Sequence, residues 1–366
     1  MPSSNPVIVE RLIGAGAIII GKTTTPEFAY SSFTASPLWG MTRNPRNPTR
    51  TSGGSSGSSA VAVATGCVSL AEGTDMGGSV RIPASFCGIA GLKPSLGRIP
   101  MDILPTVFDS ISHFGPLART VDDAALFLGV TQGPDDRDIQ SLPDLQVPVP
   151  VPRGVRGLRL ALSIDLGYYR VDAEVAGRVR EAAQALAGAG AGAVVEDVEL
   201  GWSREVNDAW GRYWDVFLAA CFGDYLAEHR NGMDLRVVEL IERGFATSTV
   251  DFKRLEEVRT RQWQSLTAVF RGYDALLCPT MARPAPSIDL QDGDFDRTDC
   301  DGRYDGLDMT CPFNFVSQCP ALSVPAGTTR DGLPIGLQVI GRRFADVSVL
   351  RIGATLEDLI RPPRET

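Results

Sequence analysis

Short apolar runs alternate with stretches of helical periodicity along the whole sequence, and that alternation constrains the fold more than any other feature. Strand-length runs stand at 17–20, 68–71, 158–163, 194–200, 275–278, 321–324 and 335–340. Between them lie helical patterns. In 173–187, for example, apolar residues fall at 175, 179, 183 and 186. Further helices are expected over 7–15, 58–65, 121–128, 203–230, 234–244, 251–270 and 347–360, with Asp122 and Asp123 suited to the first turn of theirs. Strands alternating with helices predict an α/β fold, a mixed twisted central sheet covered by helices on both faces. The segments 132–155 and 281–305 read as loops, and 132–155 as an excursion rather than a linker. The expectation is one domain over 1–366.

Charge and composition remove several function classes. The chain has 35 Lys and Arg against 44 Asp and Glu, a net charge of −9, so no basic face for nucleic acid is expected. No run of 18 apolar residues exists, and the N-terminus lacks the order of a signal peptide, which predicts no membrane span. Seven irregularly spaced cysteines predict free thiols in a reducing cytoplasm. Only two histidines are present, His113 and His229, with no CxxC or HExxH, so no metal site is expected. The lysines number three: Lys22, Lys93 and Lys253.

Two motif matches fail on chemistry. Gly16 to Thr23 fits the phosphate-loop expression, but its middle residues are Ala and three isoleucines, which predict a strand and not a flexible anion cradle. Gly53 to Gly57 fits the nucleophile elbow GxSxG, but the preceding RNPRNPTRT is no strand.

Two serine-bearing glycine loops carry more. SGGSSGSS occupies 52–59 and GTDMGGSVRIP occupies 73–83. Alone, the first reads equally well as a flexible linker. In the second, Gly77 and Gly78 directly precede Ser79, so consecutive N–H groups can converge on one point, as an oxyanion hole requires. Asp75 and Arg81 flank this loop and either pair to hold it or form an ordinary surface ion pair.

These blocks resemble the amidase signature enzymes. The resemblance is carried by GKTTTPEFA (21–29), TRNPRNPTRTSGGSSGSSAVAVATG (42–66), GTDMGGSVRIPASFCGIAGLKPSLGRIP (73–100) and GPLARTVDDAAL (115–126). It continues in DALLCPT (274–280), PFNFVSQCPALSVPAG (312–327) and DGLPIGLQVIGR (331–342). It implies a single α/β/α domain and a Ser–cis-Ser–Lys mechanism that needs no metal or organic cofactor. Ser79 takes the nucleophile's place. Ser55, 24 residues earlier, takes that of the bridging serine in preference to Ser56 and Ser52, preceded by a cis Gly54–Ser55 bond. The amides of Met76, Gly77, Gly78 and Ser79 would form the oxyanion hole, with Asp75, Arg81 and Ser56 in support.

The resemblance leaves the catalytic lysine unplaced. Lys22 and Lys93 fall at structural positions of the family pattern, and Lys253 lies in a polar helix. The expectation is therefore a chain lacking the family's N-terminal segment, impaired for want of its base, and prone to associate. The expected substrate is a small-molecule amide, and a homodimer is one expected assembly. The alternatives are the glutaminase subunit of a tRNA-dependent amidotransferase, with partner subunits, and an inactive remnant. Pocket-forming segments are expected in 101–112, 203–245 and 300–318. Phe28, Trp210 and Trp214 are candidate walls, and Cys87, Cys311 and Cys319 are expected to be buried packing.

Overall fold

Eight strands form one mixed sheet in the computed structural model, which describes residues 4–188 and 190–360. They are β1 (Leu70–Asp75), β2 (Ala90–Lys93), β3 (His113–Ala118), β4 (Arg159–Leu162), β5 (Val194–Asp197), β6 (Ala275–Pro279), β7 (Ala321–Thr328) and β8 (Pro334–Gly341). Their order across the sheet is β1-β3-β2-β7-β8-β6-β4-β5. Pairing is antiparallel from β1 through β6, then parallel from β6 to β4 and from β4 to β5.

Strand periodicity sorts the side chains between two cores. Leu160, Leu162 and Leu277 point to one face, where they meet α4 (Val121–Thr131), α5 (Ala173–Ala187) and α9 (Asp346–Ile360). Their neighbours Ala161, Leu276 and Cys278 point to the other, against Leu266 and Phe270 of the helix α8 (Thr249–Phe270). All five residues of β6 are buried, as a strand covered on both faces must be. Two helices, α2 (Gly57–Ala64) and α3 (Arg81–Cys87), pack Ala60, Val63 and Ala84, with Val80 just before α3, against Leu117 of β3. Beyond the sheet, α6 (Glu205–Phe222) and α7 (Leu235–Phe245) form a separate aromatic and aliphatic cluster.

Local chemistry starts and stops these elements. Thr120 caps α4 by accepting the Asp123 N–H at 3.0 Å. At the other end of α4, Arg11 of α1 (Val7–Gly14) donates to the carbonyls of Thr131, Gln132 and Gly133, which the helix leaves unpaired.

The fold departs from expectation at several places. Residues 17–20 are not a strand. They have no pairing partner among the described residues, and Ile18 and Ile20 are 88% and 72% exposed. An apolar run supplies side chains but cannot supply the neighbouring strand that defines it. The phosphate-loop match still fails, because only a three-residue turn, Glu27–Ala29, follows it. The helix expected over 203–230 ends at Phe222 and gives way to short turns from Gly223. Part of GTDMGGS is strand, since β1 runs through Asp75, and α3, β2 and β3 were not foreseen.

Candidate active site

The two serine loops meet. The Ser56 N–H donates to the Ser79 carbonyl at 3.2 Å, tying the N-terminus of α2 to the turn between β1 and α3. Bulk is excluded from this junction. A Cβ on Gly54 would collide with the Ser31 and Phe33 backbones, and one on Gly57 with Thr34 and Ser52. The Gly54–Ser55 peptide is cis.

The three neighbouring serines differ in what their hydroxyls do. Ser52 Oγ donates to the carbonyl of Thr42 at 3.1 Å, and Ser56 Oγ to that of Thr74 at 3.5 Å. Ser55 and Ser79 instead line a cavity of about 590 Å³. Among the described residues neither of their Oγ atoms has a hydrogen-bond partner. The N–H groups of Gly77, Gly78 and Ser79 likewise meet no acceptor among the described residues. Two candidate hydroxyls and three free amide donors thus stand at one place.

The loop is anchored from below by a buried ion pair. Arg81 Nε and Nη2 donate to the two Asp75 oxygens, each at 2.9 Å, and both side chains are fully buried. Arg81 also donates to Asn314 Oδ1 at 2.7 Å, to Gln338 Oε1 at 3.1 Å and to the Thr310 carbonyl at 3.0 Å. Burial alone would raise the Asp75 pKa. The Arg81 guanidinium and the hydrogen bonds from Arg81 and Asn314 outweigh it and hold the carboxyl well below its usual range. The pair is therefore a buried anchor and not a surface ion pair.

The three lysines stand elsewhere. Lys253 is exposed and pairs with Glu256 at 2.7 Å, and Lys22 is exposed. Lys93 on β2 is fully buried and donates to the carbonyls of Cys319 (2.9 Å), Pro94 (3.2 Å) and Ser317 (3.3 Å). Burial, reinforced by Arg81, lowers its pKa to about 7. His113 lies 3.4 Å from it through Nε2 and 3.1 Å from the Asp75 carbonyl through Nδ1. Burial and Lys93 push the His113 pKa down to about 3, so its imidazole is neutral. Nε2 also lies 3.2 Å from the Ser317 carbonyl, so each ring nitrogen faces a backbone carbonyl.

The cavity wall differs from the expected segments. Trp210 and Trp214 line it, stacked at 6.0 Å and 8°. Phe28 does not; it stacks on Phe222 at 4.3 Å and faces a separate surface depression. Residues 207–215, 236–243 and 304–311 contribute, whereas none of 101–112 does, and 29–32 and 292–296 were missed. Cys87 and Cys319 are buried packing, while Cys311 is buried yet reaches the cavity. His229 is exposed, and no cluster of metal-ligating side chains occurs among the described residues. No helix of the described residues is long and apolar enough to cross a membrane.

A mixed eight-stranded sheet thus presents two serines and, among the described residues, amides without acceptors beside one cavity. The sequence model of the Amidase family matches residues 1–350, and the chain belongs to that family. An acylamidase of Rhodococcus erythropolis is 37% identical over 98% of this chain and 76% of its own. A glutamyl-tRNA(Gln) amidotransferase subunit of Acidobacterium capsulatum is 34% identical over 98% of this chain and 79% of its own. Among solved structures, a bacterial aryl acylamidase of the amidase signature enzymes superposes with a TM-score of 0.90 at 32% identity. It covers 98% of this chain and 76% of that one. The 6-aminohexanoate cyclic dimer hydrolase gives a TM-score of 0.85, also at 32% identity, over 98% and 79% of the two chains.

Proposed function

We propose that this chain is an amidohydrolase that cleaves a small-molecule carboxylic amide through an acyl-enzyme on Ser79. The observation that carries the reading is the placement of Ser79 and Ser55 on one cavity, beside amides of the 76–79 loop that meet no acceptor among the described residues. Ser79 Oγ attacks the carbonyl carbon and forms a C–O bond. Its proton passes to Ser55 Oγ as Ser55 releases its own proton to a base from solvent. The amides of Met76, Gly77, Gly78 and Ser79 hold the resulting oxyanion. The C–N bond breaks as Ser55 returns a proton to the leaving nitrogen, and water hydrolyses the ester. Ser56, Asp75 and Arg81 keep the loops in place and touch no substrate.

The stacked indoles of Trp210 and Trp214 favour an amide with a flat or apolar group next to the scissile bond over the polar side chain of glutamine. Seven free cysteines support a reducing, cytoplasmic setting.

Labelling with a fluorophosphonate followed by peptide mapping tests the reading. Modification is expected at Ser79 and is expected to vanish in Ser79→Ala. Labelling that persists in Ser79→Ala, or falls on another serine, overturns the assignment.

A further inference from the structure

We propose that Thr310 and Trp210 are positioning residues of the oxyanion loop: by holding the carbonyls of Gly77 and Met76 they aim the Gly78 and Gly77 N–H groups into the cavity. This rests on the proposed acyl-enzyme at Ser79. Thr310 Oγ1 donates to the Gly77 carbonyl at 2.6 Å, and Trp210 Nε1 donates to the Met76 carbonyl at 3.1 Å. Both peptide bonds are trans, since the cis bonds are Gly54–Ser55 and Val149–Pro150. In a trans peptide the C=O and the following N–H point in opposite directions across one rigid plane. Fixing the carbonyl of residue 76 therefore fixes the N–H of 77, and fixing that of 77 fixes the N–H of 78. Those N–H groups have no acceptor among the described residues, so the clamps orient donors that are free to meet a ligand.

The clamps act on the residues least able to hold themselves. Gly77 and Gly78 have no side chains, and Gly78 sits at a φ of 138°, a region open to glycine. A Cβ on Gly77 would strike the Trp210 ring, and one on Gly78 would strike Thr310. Clamp and glycine are complementary surfaces, and each excludes a bulkier partner.

Asp308 sits behind Thr310. Its Oδ1 lies 2.9 Å from Thr310 Oγ1. A hydroxyl carries one proton, and the shorter bond to Gly77 uses it. Asp308 Oδ1 also accepts from the Thr310 and Cys311 N–H groups at 3.3 and 3.4 Å, so it holds the backbone that carries the clamp.

The test is the saturable rate of fluorophosphonate labelling at Ser79, since the phosphonyl oxygen needs the same donors. Thr310→Val keeps the shape and loses the proton. It is expected to slow the maximal rate by about 10- to 100-fold with half-saturation unchanged, somewhat less than deletion of an oxyanion donor. Thr310→Ser is expected to stay within about threefold of the unmodified protein, because it keeps the donor. Trp210→Phe is expected to lower the same maximal rate. Equal maximal rates for Thr310→Val and the unmodified protein overturn the clamp, as does a loss in Thr310→Ser equal to that in Thr310→Val. An unchanged rate in Trp210→Phe removes that residue. Labelling that persists in Ser79→Ala overturns the underlying reading instead, and an unmodified chain that never labels overturns both.

Discussion

Arg81 and Asp75 form a two-bond ion pair of which no part reaches solvent, and the turn that carries Ser79 is strung between them. Removing one partner leaves the other charge buried and unpaired. Arg81→Met or Asp75→Asn is expected to cost about 3–5 kcal/mol of stability. Urea unfolding of either variant checks this, and a loss under 1 kcal/mol would show that the pair is not the anchor described.

Gly78 admits no side chain, both for its φ of 138° and for the nearness of Thr310. Gly78→Ala should displace the peptide that offers its N–H. Labelling at Ser79 is expected to fall by about 100-fold or more, in the range of a lost oxyanion donor, while the far-ultraviolet dichroism stays unchanged. A variant that labels at the unmodified rate would refute the role of this glycine.

Lys93 ionises near pH 7 in the fold and near 10.4 in an unfolded chain. Between those values the unfolded chain binds the extra proton, so stability rises with pH across that window and is level below it. The slope is at most about 1.4 kcal/mol per pH unit. Charged or titratable neighbours that bear on it are His113, Arg81, Asp75, Cys319 and Asp346. Lys93→Met is expected to abolish the slope between pH 7.5 and 9.5. Parallel stability curves for the two proteins would contradict it.

Ser55 Oγ has no hydrogen-bond partner among the described residues, and Lys22, Lys93 and Lys253 lie elsewhere. A small primary amine that enters the cavity can accept the Ser55 proton. Millimolar methylamine at pH 9 to 10 is expected to accelerate labelling several-fold, in proportion to its neutral form, and Ser55→Ala should abolish that gain. Equal acceleration in Ser55→Ala would mean that the amine acts without the bridging serine.

The sheet's central strands and most flanking helices are legible in the sequence because their burial is periodic. Leu160, Ala161 and Leu162 alternate between two cores, and Val175, Val179 and Leu186 share one helical face. Elements without a period escape. All seven residues of α3 are buried, so no polar face marks it as a helix. Pro116 argues against a strand at 113–118. It is tolerated because β2 pairs with β3 only at Leu117 and Ala118. The serine loops are legible from their glycines and spacing. Thr310 is not, because its role depends on a carbonyl 233 residues away, and nothing local to a threonine announces that.

The isoleucines at 18, 19 and 20 stand largely in water, 88%, 51% and 72% exposed. Three adjacent β-branched side chains of this kind are adhesive towards other apolar surfaces. The colloidal behaviour of the preparation then sets the working concentration. Kinetic measurements on the serine loops belong at high dilution, with light scattering recorded beside them. A rate that changes with protein concentration would report self-adhesion rather than chemistry.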